Sequence, residues 1–379
     1  MLFLDHAAST SMWDQSLDTL ISSSRSDYAN PSSSHRFGRE VLKKIDTARE
    51  QLLGFLEAGR LYDLVFTSSA TESNNMVIKG LNLTENDLVH VSEADHPSLL
   101  KPAESLARSG VRVSAIPMGQ RGEIDIDRLI DSFTGREKLL ILQFVNNQSG
   151  TINRVAEIAS LAKKNNGGLH VHVDGVQGYC KIPFSLNGGE IDTFAVSSHK
   201  IGGPKGVAAL YLKKNMKLEP LLSGGGQEGG MRSSTRPAPL ILAFAEAVNF
   251  LGGRYENDLS YVAGLNSAVK ENLSRTIPGI VYPFSGPDVS PYILNLIIPG
   301  ISSDIVMRHL EQKDIFISTT SACSSGGKGE NTVFRALGIE KKFHNAVYRV
   351  SFSARTTMDE AVRFCEELVS VYDELSGLL

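Results

Sequence analysis

The segment Ser197–Gly206, SSHKIGGPKG, places Lys200 where the apolar run IDTFAV gives way to a tight Gly-rich loop. Two readings of such a lysine stand side by side. Burial disfavours the ammonium form, so the amine becomes a nucleophile able to hold an aldehyde as a Schiff base. Alternatively its stem lies on apolar surface and its head reaches water. Other polar residues also follow strand-like runs. Ser68, Ser69 and Thr71 come after LYDLVFT, Asp95 and His96 after LVHV, Asn146 and Asn147 after KLLILQFV, and Asp174 ends LHVHVD. If these runs are parallel strands, their C-terminal ends share one rim, where open α/β sheets bind ligands.

One cofactor accounts for this set. Pyridoxal phosphate needs an amine for its aldehyde, a carboxylate for its pyridine nitrogen, a neutral donor for its ring hydroxyl, a flat group for its ring face and a helix N-terminus for its phosphate. Lys200, Asp174, Asn147, His96 and Thr71 match these needs in turn. Each has a plainer reading. Asp174 can cap a helix, His96 can start one before Pro97, Asn147 can be turn chemistry, and the Ser68–Thr71 hydroxyls can be capping alone.

The elements that must position these residues are legible as periodicity. Positions 37–57 carry apolar residues at helical spacing, and Thr71–Leu81 reads as a helix with Thr71 near its N-cap. The stretch PSLLKPAESLARSG reads as a helix interrupted by Pro102, and Arg154–Asn165 as an amphipathic helix. The serines Ser22–Ser24 and the segment Asn30–His35 read as short loops. KLLILQFV is apolar on both faces, as in a parallel sheet. The alternation predicts an α/β domain with a mostly parallel sheet flanked by helices. After Ser223–Gly230 the alternation loosens. A long helical region runs from Ala238 to Leu273 with a break at Gly252 and Gly253, followed by strands near Tyr292–Pro299 and Tyr348–Ser353 and helices at Ser303–Gln312 and Met358–Leu378. The expected organisation is a large cofactor-binding domain at 13–250 and a smaller α+β domain at 1–12 and 251–379.

Composition narrows the class. At 379 residues, with 41% hydrophobic and 21% charged residues, the chain has the make-up of a soluble protein of two domains. A net charge of −4 argues against nucleic acid or an anionic membrane as the main partner. No apolar run nears the ~20 residues of a membrane span, and the N-terminus lacks the features of a signal peptide. Three cysteines without CxxC spacing argue against a disulfide framework or a Cys-based metal site and suit a reducing cytoplasm.

The motifs together resemble the NifS/IscS-type cysteine desulfurases, fold-type I pyridoxal-phosphate enzymes of the class V aminotransferase group. The resemblance runs through LDHAAST, NPSSSH, FTSSATESNN, ADHPSLL, NNQSGT, HVDGVQ, SSHKIGGPKG, GGGQEGGMRSST, SACSSG and VSFSARTT. It implies that Lys200 holds the cofactor and shuttles a proton, that Asp174 pairs with the pyridine nitrogen, and that Gln177 bonds the ring hydroxyl. It implies His96 stacked on the ring, with Ala70, Thr71, Ser197 and His199 on the phosphate. Thr235 would reach the cofactor phosphate of a partner subunit, so a homodimer is implied. Asn147 and Arg355 would hold the substrate carboxylate, which suits an arginine fork. Where the family has Asn this chain has His6; its NNEIG is NNQSG, its RSGT is RSST and its FTSGATE is FTSSATE.

Cys323 lies among Ser, Gly and Lys, in a stretch expected to be an exposed loop and available as a nucleophile. The resemblance implies that it takes sulfur from L-cysteine as a persulfide, releases L-alanine and passes the sulfur to an acceptor protein, in iron–sulfur or tRNA-thiolation chemistry. The stretch from Cys323 to Arg335 is similar to that of the longer-loop group. Cys180 and Cys365 read as packing residues. The other readings are a selenocysteine lyase or another class V enzyme on the same cofactor, and a catalytically silent relative.

Overall fold

A computed structural model describes residues 1–119, 121–319 and 332–377. Its strands are β1 (Leu2–Phe3), β2 (Tyr62–Thr67), β3 (Leu88–Val91), β4 (Arg112–Ala115), β5 (Glu137–Gln143), β6 (His170–Asp174), β7 (Thr193–Ser197), β8 (Ala208–Lys213), β9 (Ile293–Ile297), β10 (Ile315–Phe316), β11 (Ser318–Thr319) and β12 (Val347–Ser351). Seven of them form one sheet in the order β2-β8-β7-β6-β5-β3-β4. Only β8 runs against its neighbours β2 and β7, so β2 points the same way as the rest. Every residue of β6 and β7 is buried, which fits strands covered on both faces.

The helices are α1 (Asp14–Ser26), α2 (Arg36–Phe55), α3 (Ala70–Gly80), α4 (Pro97–Arg108), α5 (Ile126–Asp131), α6 (Val155–Asn165), α7 (Ala238–Gly252), α8 (Tyr255–Thr276), α9 (Ser303–Gln312), α10 (Thr332–Ala336) and α11 (Met358–Ser376). One apolar core joins α2, α6 and α7 to the large sheet. A second gathers Leu2 and Leu4 with α8, α9, α11 and the sheet β11-β12-β9.

Two local expectations need correction. Ser22–Ser24 are not a loop but the last turns of α1. Their hydroxyls donate to carbonyls one turn back, at 2.8 Å for Ser22 to Asp18, 2.6 Å for Ser23 to Thr19 and 2.6 Å for Ser24 to Leu20. Packing on α7, where Ser16 Oγ donates to the Ala243 carbonyl at 2.7 Å, overrides weak serine propensity. Pro102 does not interrupt α4: it is buried beside Leu99 and Ala103, whose apolar contacts hold the helix through the missing N–H. As expected, Thr71 lies near the N-cap of α3, which is Ser69: its hydroxyl accepts the Glu72 amide at 3.1 Å, and the helix starts at Ala70. Ser69 therefore adds a side-chain cap where the family has glycine.

A buried charge pins the segment before α7 to β2. Glu228 accepts from Arg49 at 2.9 and 3.2 Å, from Arg236 at 2.6 Å and from the Phe66 amide at 2.9 Å. Burial pushes its carboxyl pKa up, but the Arg49 and Arg236 guanidiniums and the Phe66 amide outweigh this, so it lies below the usual value. Such a group stabilises the fold above its unfolded pKa and loses that contribution as pH falls through the folded one. A Glu228→Ala chain is expected to lose about 3 kcal/mol or more, because two guanidiniums and a strand amide lose their acceptor. Urea unfolding at neutral pH reads this loss, and an unchanged midpoint would refute it.

Candidate active site

The C-terminal ends of β2, β3, β5, β6 and β7 bring the candidate residues to one rim, because these strands share one direction. Asp174 ends β6 and is buried. Its Oδ1 accepts the Val176 amide at 3.0 Å and its Oδ2 accepts Asn74 Nδ2 at 2.8 Å. Lys200 follows β7 and is half-buried. Its Nζ donates to the Ala7 carbonyl at 2.5 Å and the Ala8 carbonyl at 2.8 Å. Gln177 is buried and donates to the same Ala7 carbonyl at 2.9 Å. The segment preceding α1 thus crosses the mouth of the site. It is held there by Trp13, which donates through its indole to Ile201 O at 2.9 Å. Gly202 allows that approach: it has φ +82° and a Cβ would meet the indole at 2.5 Å.

His96 both caps α4 and faces the site. Its Nδ1 accepts the Ser98 amide at 3.1 Å. Burial lowers its pKa, Lys200 lowers it further, and Asp174 opposes them. His199 shares a 3.3 Å hydrogen bond with Ser9 Oγ; burial and the neighbouring lysines Lys200, Lys205 and Lys181 bring it to about 4. Ser197 is buried at the end of β7. Ala70 and Thr71 are the first two residues of α3, so their amides have no partner within the helix.

The remaining candidates are placed differently. Asn147 follows β5, with its side chain on Gln143 at 3.3 Å, and its carbonyl accepts from Arg349 Nη1 at 3.0 Å. The guanidinium tied to Asn147 is therefore that of Arg349, which also pairs with Asp5 at 2.9 Å. Arg355 stacks on Trp13 with its guanidinium carbon 4.3 Å from the ring centroid, bonds Ser11 Oγ at 3.3 Å and faces Asp14 at 3.6 Å. Thr235 is exposed on the segment before α7. Cys323 lies outside the described residues. Cys180 and Cys365 are buried; burial holds the Cys180 thiol well above its usual pKa and pushes Cys365 up to about 12.

The Aminotransferase class-V family matches residues 2–364. A mitosomal cysteine desulfurase of Encephalitozoon cuniculi is 31% identical over 100% of this chain and 88% of its own. The cysteine desulfurase IscS of Rickettsia typhi is also 31% identical, over 100% and 92%. The chain belongs to the class-V aminotransferase family, in its cysteine desulfurase group. A solved NifS-like protein superposes with a TM-score of 0.91 at 28% identity, covering 98% of this chain and 99% of that one.

Enzymes of this group are pyridoxal-phosphate enzymes, and the donor set here fits that cofactor. Asp174 is an acceptor-only group buried with two neutral donors, and it forms no ion pair among the described residues. It can therefore take a protonated ring nitrogen. The amine of Lys200, the neutral ring of His96 and the start of α3 complete the set.

The family's altered segment is tightly folded in this chain. The Gln148 and Ser149 amides both donate to Asn146 Oδ1, at 2.9 and 3.0 Å, and Ser149 Oγ donates to Thr151 Oγ1 at 2.8 Å. These substitutions therefore sit in the turn's own packing and leave the Asn147 side chain on Gln143.

Four functional candidates escaped the sequence reading: Asn74, Ser98, Arg349 and Lys181. Asn74 had a usable signal, since it shares the buried face of α3 with Val77 and Ile78. Lys181 had none. It sits in a small cavity with His6, Tyr292 and Lys200, its Nζ 5.5 Å from the Tyr292 ring centroid. Burial and then Lys200 lower its pKa to about 7.

That shift carries a stability cost. Between the folded value of about 7 and the ordinary 10.5, the unfolded chain binds a proton that the folded chain does not. Stability attributable to Lys181 therefore rises with pH across this window, and the cost is complete below pH 7. A Lys181→Met chain is expected to be more stable at pH 7 by a few kcal/mol, on the order of the buried charge it removes. Paired urea titrations should show the gain shrinking towards pH 10. A constant gain would mean Lys181 is not the group responsible.

Proposed function

We propose that this chain converts L-cysteine to L-alanine and retains the sulfur on Cys323 as a persulfide. The observation that carries this reading is the convergence of Lys200, Asp174, His96 and the start of α3 on one rim of a class-V fold whose sequence also contains SACSSG. Pyridoxal phosphate, when bound, supplies an aldehyde for an amine and an electron-withdrawing pyridine ring.

The chain supplies the rest. Lys200 Nζ holds the aldehyde and later moves a proton to and from the substrate. Asp174 holds the ring nitrogen in its protonated state. Gln177 bonds the ring hydroxyl and His96 lies on the ring face. Ala70, Thr71, Ser197 and His199 hold the phosphate, and Thr235 reaches that of the partner in a homodimer. Asn147 and Arg355 take the substrate carboxylate. The Cys323 thiolate then attacks the substrate sulfur. An S–S bond forms and the C–S bond breaks; its electron pair passes to the carbon, which gains a proton as L-alanine leaves. The persulfide passes to an acceptor protein's thiol by exchange. Three-cysteine usage fits a reducing cytoplasm, and no helix among the described residues is long and apolar enough to cross a membrane.

The test is a visible spectrum of the purified protein before and after L-cysteine, with alanine and sulfide measured under dithiothreitol. Equal yields of both are expected. Keto-acid formation would instead indicate an aminotransferase, turnover restricted to selenocysteine would indicate a selenocysteine lyase, and the absence of a visible band would indicate a silent relative. Sedimentation reads the dimer.

A further inference from the structure

A buried polar chain runs from Asp174 into the sheet, and nothing in the proposed function uses it. The side chain of Asn74 is fully buried. Its Nδ2 donates to Asp174 Oδ2 at 2.8 Å and to Ser98 Oγ at 2.9 Å, and its Oδ1 lies 3.0 Å from His172 Nε2. His172 Nδ1 is 2.9 Å from Thr193 Oγ1, which is 2.8 Å from His170 Nε2. Ser98 Oγ is 2.8 Å from His96 Nδ1.

Donor and acceptor capacities determine how protons are arranged along this chain. A carboxylate only accepts, so the NH2 of Asn74 must face Asp174. Its carbonyl oxygen then faces His172, whose Nε2 must carry the hydrogen. His172 Nδ1 is therefore bare and accepts the Thr193 hydroxyl hydrogen, so Thr193 Oγ1 accepts from His170 Nε2. On the other arm, Ser98 Oγ accepts from Asn74 and its own hydrogen turns to His96 Nδ1. That atom already accepts the Ser98 amide. Two donors meet there, so the hydrogen of a neutral His96 sits on Nε2.

We propose that Asn74 is a positioning residue that aligns the Asp174 carboxylate and, through Ser98, keeps His96 Nδ1 an acceptor, leaving Nε2 as the ring atom that carries and exchanges a proton in the site. A proton added at Nδ1 would confront the Ser98 hydroxyl and amide hydrogens. The hydroxyl contact thus opposes the imidazolium form beyond burial and the two charged groups that face the ring, Asp174 and Lys200. This deepens the proposed function by naming what sets the state of the ring-stacking histidine. Its test on the cofactor-free chain does not depend on the desulfurase reading.

The experiment is 15N–1H correlation spectroscopy of the full chain labelled at histidine nitrogens, with His96 assigned from a His96→Gln chain. His96 and His172 are expected to carry hydrogen on Nε2 in the unmutated protein. A Ser98→Ala chain keeps the Ser98 position's amide but loses the hydroxyl donor. Its His96 proton affinity is expected to rise roughly three- to tenfold, the worth of one hydrogen bond, with His172 unchanged. An Asn74→Ala chain is expected to change both rings. Hydrogen on Nδ1 of His96, or an unchanged His96 titration in Ser98→Ala, overturns the proposal. The milder serine variant keeps it testable if the asparagine variant does not fold.

Discussion

A Lys200→Ala chain is expected to fold as the unmutated chain does and to lose roughly three orders of magnitude or more of turnover. The loss is chemical. In the proposed function Lys200 is the amine that Schiff-base chemistry requires, and β7 delivers it to the rim where Asp174, His96 and the start of α3 converge. The fold should tolerate the change because Lys200 is half-buried and donates to the Ala7 and Ala8 carbonyls at the mouth, where water can replace an ammonium. In the same proposal Asp174 and the α3 amides still bind the cofactor without a covalent link, so its absorbance should be removable by dialysis from the variant only. An alanine variant that keeps turnover would mean another amine does the work. Lys181 is the amine to test next, because it adjoins Lys200 and is partly neutral near pH 7.

The second large effect separates cofactor binding from sulfur transfer. A Cys323→Ala chain is expected to keep the visible band, still respond spectrally to L-cysteine, and lose sulfide and persulfide formation to background. The other two cysteines cannot substitute. Cys180 and Cys365 are buried in the two apolar cores. With the Cys365 pKa near 12, its thiolate at pH 7 is on the order of one part in 10⁵, and Cys180 is raised well above its usual value too. Persulfide labelling of the intact chain and mass analysis of the modified peptide give the readout. Undiminished sulfide release in the variant would remove Cys323 from the reaction.

These two experiments bear on different kinds of knowledge. Lys200, Asp174 and His96 were legible as chemistry because each follows an apolar run, and parallel strands send such residues to one edge. The start of α3 was legible too, although the capping hydroxyl belongs to Ser69 and the helix takes in Ala70. Local rules went wrong where packing outweighed propensity: the serines of α1 are helical because that helix lies on α7, and Pro102 sits inside α4 because its neighbours are buried.

The sequence by itself determined the alternating elements, the cofactor class and the cysteine on which the proposed sulfur step rests, because periodicity and motif spacing are carried by adjacent residues. It could not reveal which side chains would face one another. Asn74 meets Asp174 and His172, and Arg349 meets Asp5 and Asn147, only because distant segments become neighbours. Likewise, Lys181 acquires a pKa near 7 because the walls around it exclude water and Lys200 lies beside it. Hydrogen-bond partners and desolvation are properties of assembled surroundings, and those exist only in the tertiary structure.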